Sequence, residues 1–196
     1  MTFTDHNLAQ RAATGDVEAF AQLVREHSEL VYRVAMRILG YNDAQDASQE
    51  VWIRVWRNIK QFRGDSAFST WLYKITVNTC LSTRRKEQAR EAWELNSELS
   101  YLPVPPSYED DPGDAAVAGE RREELLRALE RVRAEHRAAL ILRHMEGLSY
   151  AEVAEILGVP DGTAKGWVSR GRVALLVALT EEERKGEGPN DEVSRS

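Results

Sequence analysis

Several features that would place this chain outside the cytoplasm are missing from it. It has one cysteine, Cys80, so it cannot form an internal disulfide. Hydrophobic residues make up 42% of the sequence, yet no run approaches the roughly 18 apolar residues that suggest a membrane-spanning helix. The N-terminus lacks the basic start and apolar stretch of a secretory signal peptide. We therefore expect a cytoplasmic protein with no direct membrane insertion.

The usual signatures of catalysis are also missing. The chain has no glycine-rich phosphate-binding loop. Cys80 lies at helical spacing among apolar residues, which is more typical of a core position than of a nucleophile. The four histidines show no metal-ligand spacing; they are His6, His27, His136 and His144. The sequence predicts that the protein is not an enzyme and uses no catalytic residue, metal or cofactor.

The net charge of −6 is unevenly distributed along the chain. Residues 1–89 carry a net charge of +2 and residues 119–180 carry +1, whereas residues 90–118 carry −6 and residues 181–196 carry −3. The local field on a binding face matters more for nucleic acid than the total charge does. The acidic total therefore does not exclude DNA binding by either near-neutral block.

Composition also divides the chain into segments. Four of the six prolines lie in residues 101–114, beside an acidic run, and proline excludes a regular helix there. We predict a flexible acidic linker at 91–118 and a disordered tail at 181–196. The blocks 1–90 and 119–180 show apolar residues at helical spacing. The predicted fold is all-α, with an N-terminal helical bundle and a C-terminal helix-turn-helix domain.

Local signals within the first block indicate about four helices. Gly40 should end a long helix, and Asn42 or Asp43 should cap the next one. The segment 62–66 reads as a loop, and its last residues, Asp65 and Ser66, can cap the helix that follows.

Residues 149–172 carry the pattern of a helix-turn-helix. Ser149 and Glu152 form a capping box, and Ala154 with Gly158 supplies the small contact residue and the turn glycine that this motif needs. A plain four-helix bundle with a tight turn is the structural alternative. The second helix would present side chains suited to phosphates and base edges, namely Thr163, Lys165, Ser169, Arg170 and Arg172.

Residues 62–90 combine aromatic and basic side chains. From 71 to 90 there are five basic residues and one acidic residue. Single-stranded nucleic acid needs aromatic faces for its bases and cations for its backbone. Helical spacing also allows Phe68 and Trp71 to be core residues. Asn78 could read a base edge or simply be solvated.

Together these segments resemble an extracytoplasmic-function (ECF) sigma factor of bacterial RNA polymerase. The similarity is carried by DAQDASQEVWIRVWRNIKQFRGDSAFSTWLYKITVNTCLSTRRK at 43–86 and by the helix-turn-helix block at 125–176. The proline-rich linker between them fits the same family.

The resemblance implies a role for each segment. Residues 1–90 would be a region 2-like domain that recognises the promoter −10 element as melted single strand and binds the polymerase core. Residues 119–180 would be a region 4-like domain that recognises the −35 duplex. The implied partners are promoter DNA, the clamp coiled coil and flap of RNA polymerase, and an anti-sigma factor. No nucleotide hydrolysis is implied.

Individual site residues follow from the same resemblance. Those implied to bind polymerase are Asp46, Gln49, Glu50, Trp52 and Arg54. Those implied to bind the −10 strand are Phe68, Trp71, Lys74, Asn78, Arg84 and Arg85. Those implied to bind the −35 groove are Thr163, Lys165, Ser169, Arg170 and Arg172.

The sequence departs from the family pattern at two places. Ala164 and Gly166 stand where the family usually has a larger residue and a serine, and a glycine inside a helix costs roughly 0.5–1 kcal/mol relative to alanine. These two residues should weaken the −35 helix. Ala47 and Ser48 replace the usual aliphatic pair in the polymerase-binding helix.

Two other functions remain open from the residues alone. A stand-alone helix-turn-helix repressor would need its own dimer interface and would bind duplex DNA without polymerase. A helical adaptor that binds only protein would use Trp52, Trp56 and Trp93 as interface anchors.

Overall fold

The computed structural model describes residues 3–95 and 114–186, and every regular element in those two stretches is helical. The predicted all-α fold is confirmed. The elements are α1 (Phe3–Ala13), α2 (Val17–Leu39), α3 (Tyr41–Asn58), a 3₁₀ turn (Ile59–Gln61), α4 (Phe68–Leu95), α5 (Asp114–Glu130), α6 (Ala134–Leu140), a π-helical segment (Ile141–Met145), α7 (Tyr150–Leu157) and α8 (Asp161–Gly186).

The boundary between α2 and α3 is a single glycine. Gly40 has φ of 88°, a conformation that suits glycine, and its N–H donates to the carbonyl of Met36. The predicted helix end at Gly40 is confirmed. The predicted cap at Asn42 or Asp43 is wrong, because α3 already begins at Tyr41 and both residues lie inside its first turn.

The helix-turn-helix consists of α7, a short turn and α8. The Ser149 side chain accepts from the backbone of Glu152, whose carboxylate accepts from the Ser149 N–H at 2.8 Å, so the predicted capping box is present. Gly158 ends α7 in the left-handed conformation, with φ of 66°. The carbonyl of Pro160 then accepts from the first turn of α8. The capping box and the turn glycine expected from the sequence are thus both present.

Two hydrophobic cores hold the helices together. The first lies among α1 to α4 and includes Leu23, Val51 and Leu72. The second is shared between the two halves of the chain, because Val34 of α2 and Val77 of α4 belong to the same cluster as residues of the π-helical segment, α7 and α8. Consequently α7, the first helix of the helix-turn-helix, packs directly on α4.

The π-helical segment ends α6 with a wider turn. The N–H of Glu146 donates to the carbonyl of Ile141 at 3.0 Å, five residues back rather than four. This segment leads directly into the loop before Ser149.

Helices enter the predicted linker from both sides, since α4 continues to Leu95 and α5 begins at Asp114. Helix α8 continues to Gly186, past the predicted end of the second domain. Residues 96–113 and 187–196, on which most of the linker and tail predictions fall, lie outside the described residues. The domain boundaries therefore remain predictions. Among the helices described, none is both long enough and apolar enough to cross a membrane.

The contact between α6 and α8 depends on a glycine. A Cβ atom added to Gly171 would lie 2.7 Å from the carbonyl oxygen of His136, which is backbone and cannot move aside. We expect Gly171→Ala to destabilise the protein by about 1–3 kcal/mol, the usual range for overpacking. Urea unfolding would measure this.

Gly166 in the same helix provides the matched control. The nearest atoms to its added Cβ belong to the flexible guanidinium of Arg170, at 3.3 Å and beyond. Gly166→Ala should therefore stabilise the helix by about 0.5–1 kcal/mol. Equal effects of the two substitutions would contradict the close approach at Gly171.

Candidate nucleic-acid interface

One face of α4 presents a row of polar and aromatic side chains. Trp71, Lys74, Asn78 and Arg85 recur at intervals of three, four and seven residues, so they share one side of the helix. Lys74, Asn78 and Arg85 are exposed, and Trp71 is half-buried against the first core. The structure thus brings together four of the six side chains expected to bind the −10 strand.

Phe68 lies beneath this face rather than on it. Its side chain is only 3% exposed. Its ring contacts those of His27, Phe62 and Trp71, with centroid distances of 5.3, 5.6 and 5.8 Å. It therefore belongs to the core, as its helical spacing also allowed, and it supports the loop before α4.

Arg84 is the second of the six expected side chains that is not exposed on this face. It is half-buried and lies 3.4 Å from the carboxylate of Glu87 in an ion pair on the same helix.

A groove of about 300 Å³ opens beside the start of α4. It lies between α1, α2 and the loop before α4, and its lining residues are Asp5, His6, His27, Leu30, Phe62, Ser66, Ala67, Phe68 and Ser69. The apolar and aromatic part of this lining is contributed by Leu30, Phe62 and Phe68. The groove can accept a flat ring, and hydroxyl groups of the lining residues would then lie close to the edge of that ring.

Sequence reasoning missed the contribution of α1 and α2 to this groove. His6 lies so close to Gly64 that any Cβ there would collide with the imidazole ring, and Gly64 has φ of 79°. His6 also makes an edge contact with Phe62, at a centroid distance of 5.9 Å. Only the tertiary fold brings these residues together, since His6 is far from the loop in the sequence.

A mixed group of polar side chains lies at the rim of the groove. The Nε2 atom of His27 is buried, lies 3.5 Å from the carboxylate of Asp5 and has no hydrogen-bond partner. Glu26 brings a third ligand atom within 4.8 Å of the other two. These three residues could hold a cation, but Glu26 is exposed, and such groups are common without one.

Helix α8 presents a second polar face. Lys165, Ser169 and Arg172 recur at four and three residues and are all exposed. Arg170 is exposed and lies within 3.4 Å of the imidazole of His136, while Thr163 is half-buried at the start of the helix. All five side chains expected to contact the −35 groove thus lie on the N-terminal half of α8.

The two departures from the family pattern occupy different environments. Ala164 is fully buried in the shared core, where it packs with the other residues of the helix-turn-helix. Gly166 is half-buried beside the side chain of Arg170.

Helix α3 carries a third surface. Asp46 and Gln49 are exposed, and Ile53 and Trp56 continue the same face with 44% and 41% exposure. The sequence analysis did not select Ile53, and it named Trp56 only as an interface anchor of the alternative adaptor function. Their positions four and seven residues after Gln49 were the available signal.

The remaining side chains expected to bind polymerase lie beside that surface. Glu50 and Arg54 form an ion pair with an N–O distance of 2.7 Å, and hydrogen bonding to Arg54 lowers the pKa of Glu50. Trp52 is half-buried and meets the ring of Phe20 edge-on at 6.1 Å.

Comparison with known families identifies the family to which the chain belongs. The model of Sigma-70 region 2 matches residues 23–90, and the model of Sigma-70 region 4 matches residues 122–175. The ECF RNA polymerase sigma-E factor of Escherichia coli strain K12 is 32% identical over 176 residues, which cover 88% of this chain and 92% of that protein. The chain belongs to the ECF family of RNA polymerase sigma factors. The sigma-E factor of Haemophilus influenzae is 33% identical over 180 residues, covering 86% of this sigma factor and 92% of that one.

Solved structures agree with the fold of this sigma factor. The sigma factor RpoE from Bartonella quintana, in complex with the anti-sigma factor NepR, is 25% identical with a TM-score of 0.63, covering 82% of this chain and 96% of that one. CnrH in complex with the cytosolic domain of CnrY shares the fold, with 23% identity and a TM-score of 0.62 over 91% of this chain and 98% of that one. The family resemblance expected from the sequence is confirmed. The protein is a DNA-binding transcription factor that starts transcription at specific promoters with RNA polymerase.

Proposed function

We propose that this sigma factor reads its promoter with two helices from two domains, close to the predicted limits 1–90 and 119–180. Helix α4 holds the melted −10 strand, and α8 enters the −35 major groove. The observation that carries this proposal is the row of Lys74, Asn78 and Arg85 on the exposed face of α4, next to the groove at its N-terminus.

The −10 strand requires cations for its backbone and an apolar pocket for an unstacked base. Lys74 and Arg85 supply exposed cations, and Arg84 lies beside them at the C-terminal end of the row. Asn78 is exposed between them and can hydrogen-bond a base edge.

The groove beside the start of α4 provides the pocket for one flipped base. Phe62 and Phe68 form its aromatic wall, and Trp71 packs behind them. In this arrangement Phe68 holds the wall in position while a base stacks elsewhere in the groove.

The −35 element meets the exposed N-terminal half of α8. Lys165, Arg170 and Arg172 are donors for phosphates and for guanine edges, and Ser169 can bond to either. Thr163 lies at the helix start, where backbone N–H groups also favour a phosphate.

Polymerase binds the exposed face of α3. Asp46 and Gln49 provide its polar part, and Ile53 and Trp56 provide an apolar part of the kind that anchors protein interfaces. The Glu50–Arg54 pair and Trp52 lie next to this face and fix its shape. The clamp coiled coil is the partner for α3, and the polymerase flap is the partner for the second domain.

We further infer that an anti-sigma factor regulates this protein. The support comes from the related RpoE of Bartonella quintana, which was solved in complex with the anti-sigma factor NepR. A cytoplasmic location and the absence of catalysis or a cofactor belong to the same proposal.

Transcription in vitro with purified core polymerase and a promoter library tests the proposal. We expect RNA synthesis only when the sigma factor is present, from a restricted set of promoters. A chain that neither associates with core polymerase nor starts transcription contradicts the proposal. A gel shift with and without polymerase distinguishes the sigma factor from the two alternative functions. A stand-alone repressor would bind duplex DNA without polymerase, and an adaptor would show no salt-dependent DNA binding.

Removing one cation from α8 should weaken DNA binding by the polymerase complex. If Arg172 contacts a phosphate, Arg172→Ala should lower affinity for every promoter and reduce the slope of log affinity against log salt by about 1. If it contacts a base, specificity at one −35 position should relax instead. Arg25→Ala removes an exposed cation of α2 that pairs with Glu18, and it should leave both quantities unchanged. Equal effects of the two variants would contradict the assignment.

Removing Trp56 should weaken polymerase binding without affecting DNA contacts. A buried aromatic anchor typically costs more than about 1 kcal/mol when truncated, so Trp56→Ala should reduce affinity for the core by at least roughly fivefold. Trp93→Ala is the matched control, because Trp93 is also exposed but lies near the end of α4. Fluorescence titration with core polymerase gives both affinities, and a greater loss for Trp93→Ala would contradict the α3 surface.

A further inference from the structure

The exposed side chain of Arg170 lies back along α8 toward the start of the helix. Long side chains on a helix lean toward its N-terminus. Here the guanidinium reaches Gly166, since a Cβ atom added to that glycine would lie 3.3 Å from one terminal nitrogen of Arg170 and 3.4 Å from the other. The charged group is therefore about one helical turn, roughly 5.4 Å, closer to the N-terminus of α8 than its own backbone is.

A histidine from another helix holds the guanidinium in that place. The Nε atom of Arg170 donates to the Nε2 atom of His136, in the first turn of α6, at 3.4 Å. This bond uses one of the five N–H groups of the guanidinium and leaves the two terminal nitrogens to donate outward. Two such donors match the O6 and N7 acceptors of guanine in the major groove. The contact thus limits where Arg170 points without using the atoms that can read a base.

The close packing of α6 on α8 fixes His136 itself. Gly171 lets the helices approach until an added Cβ atom would lie 2.7 Å from the carbonyl oxygen of His136. Trp167, one turn earlier in α8, contacts the imidazole with a centroid distance of 6.2 Å. The hydrogen-bond acceptor is therefore fixed relative to the same helix that carries its donor, Arg170.

Gly166 has a role in this arrangement that its low helix propensity alone does not explain. The resemblance described above places a serine at this position in most of the family. Any side chain there would bring its Cβ atom to 3.3 Å from the guanidinium of Arg170, closer than ordinary van der Waals contact. Arg170 would then have to shift. The glycine weakens the helix, and it leaves room for the guanidinium against the helix backbone.

The contact requires an imidazole without charge. A protonated imidazole carries a hydrogen on both nitrogens and cannot accept a hydrogen bond from Arg170. Burial lowers the pKa of His136 from its ordinary value of 6.5, and the charges of Arg170 and Arg133 lower it further, whereas Glu135 opposes them. The neutral form, which can accept, therefore predominates at pH 7, and the contact is lost as the pH falls through the lowered pKa.

The charges on the other helices that pack on α6 act on its other residues. Arg85 of α4 lowers the pKa of Glu135. Arg84 of α4 and Glu130 of α5 act on Arg137. Within the described parts of the chain, the charges that act on the imidazole are thus those of its sequence neighbours and of Arg170.

We propose that His136 is a positioning residue for promoter recognition: it holds the Arg170 guanidinium over Gly166, in the direction that lets it bind one guanine of the −35 element. This inference rests on the proposed function of α8, because residues in the N-terminal part of a recognition helix contact base edges. Ordering a flexible side chain before binding removes part of the entropic cost of association. Loss of His136 should weaken the preference for that guanine by roughly threefold to tenfold.

The first measurement tests the contact without polymerase or DNA. Proton NMR of the imidazoles in the full chain follows the pKa of His136 through a pH titration, and His136→Gln identifies its signal. Arg170→Ala removes a nearby cation and the hydrogen bond to the neutral ring, so the pKa of His136 should rise. Arg172→Ala removes an exposed cation of α8 that does not act on His136, and it should leave that pKa unchanged. Equal results for the two variants would overturn the contact.

The second measurement compares base preferences across a promoter library in which every −35 position is varied, with the sigma factor bound to core polymerase. Arg170→Ala identifies the position that Arg170 reads. His136→Ala should weaken the preference for guanine there and leave the other positions unchanged. His136→Gln should retain it, because the amide oxygen can accept from Nε as the imidazole does. His144→Ala removes an exposed histidine of the same domain and should change no preference.

Two further observations separate positioning from a structural role. Gly166→Ala should stabilise the helix, as predicted above, and yet weaken the same guanine preference, because its Cβ atom displaces Arg170. In the wild-type protein that preference should also weaken as the pH is lowered below 6.5, and it should not depend on pH in this way when Arg170 is replaced. A structural role for His136 would instead change the thermal stability and all −35 positions together, which would contradict the proposal.

The outcomes distinguish this inference from the function on which it rests. If Arg170→Ala changes the −35 preference but His136→Ala does not, the positioning role is wrong. It is also wrong if His136→Ala has the same effect in a chain that already carries Arg170→Ala, since independent effects add and coupled ones do not. If Arg170→Ala leaves every −35 preference unchanged although the NMR titration shows the contact, the proposed function of α8 fails instead.

Discussion

The arrangement of this sigma factor depends on a carboxylate that is removed from water between two domains. Glu146 has acceptable surroundings only while Arg33, Arg37 and Tyr73 face it. Apolar contacts in the shared core are less specific about angle and distance. The hydrophobic surfaces of α2, α4 and α7 therefore supply attraction, and the ionic contact selects one geometry among those that the apolar surfaces would tolerate.

The charge distribution explains why such a protein needs a larger partner. Each DNA-binding block is almost neutral, at +2 and +1, so neither gains much from neutralising phosphates by itself. The exposed basic residues of a block instead lie together on one helix face, as Lys74 and Arg85 do on α4. Two modest contacts held on one chain reinforce each other only when the distance between them fits both targets. In the function proposed above, polymerase provides both the extra surface and that spacing.

Local chemistry accounts for what could be predicted from the sequence. The helix-turn-helix depends on Ser149, Glu152 and Gly158, which act within a few residues of each other, and each was predicted correctly. The end of α2 at Gly40 has the same local origin. The cap predicted at Asn42 or Asp43 was wrong because a glycine with positive φ starts the next helix at once.

Contacts between distant residues account for what could not be predicted. Glu146 lies 113 residues from Arg33 along the chain and 73 from Tyr73, so no periodicity links them. The close approach at Gly171 exists only after α6 and α8 have packed. The spacing of Phe68 was compatible both with a contact to the −10 strand and with a core position, and its burial favours the core position. The exposed row of α4 was predictable because three- and four-residue intervals define a helix face.

The π-helical segment has a consequence for the position of Glu146. Its widened turn accommodates one additional residue immediately before Glu146. Each residue turns an α-helix by about 100°, since a turn takes about 3.6 residues. Deleting a single codon within Ile141–Met145 would restore ordinary helical phase and swing the carboxylate away from its three donors. One in-frame deletion would thus remove the polar contacts of Glu146 with Arg33, Arg37 and Tyr73 without altering any residue on the exposed faces of α4 and α8.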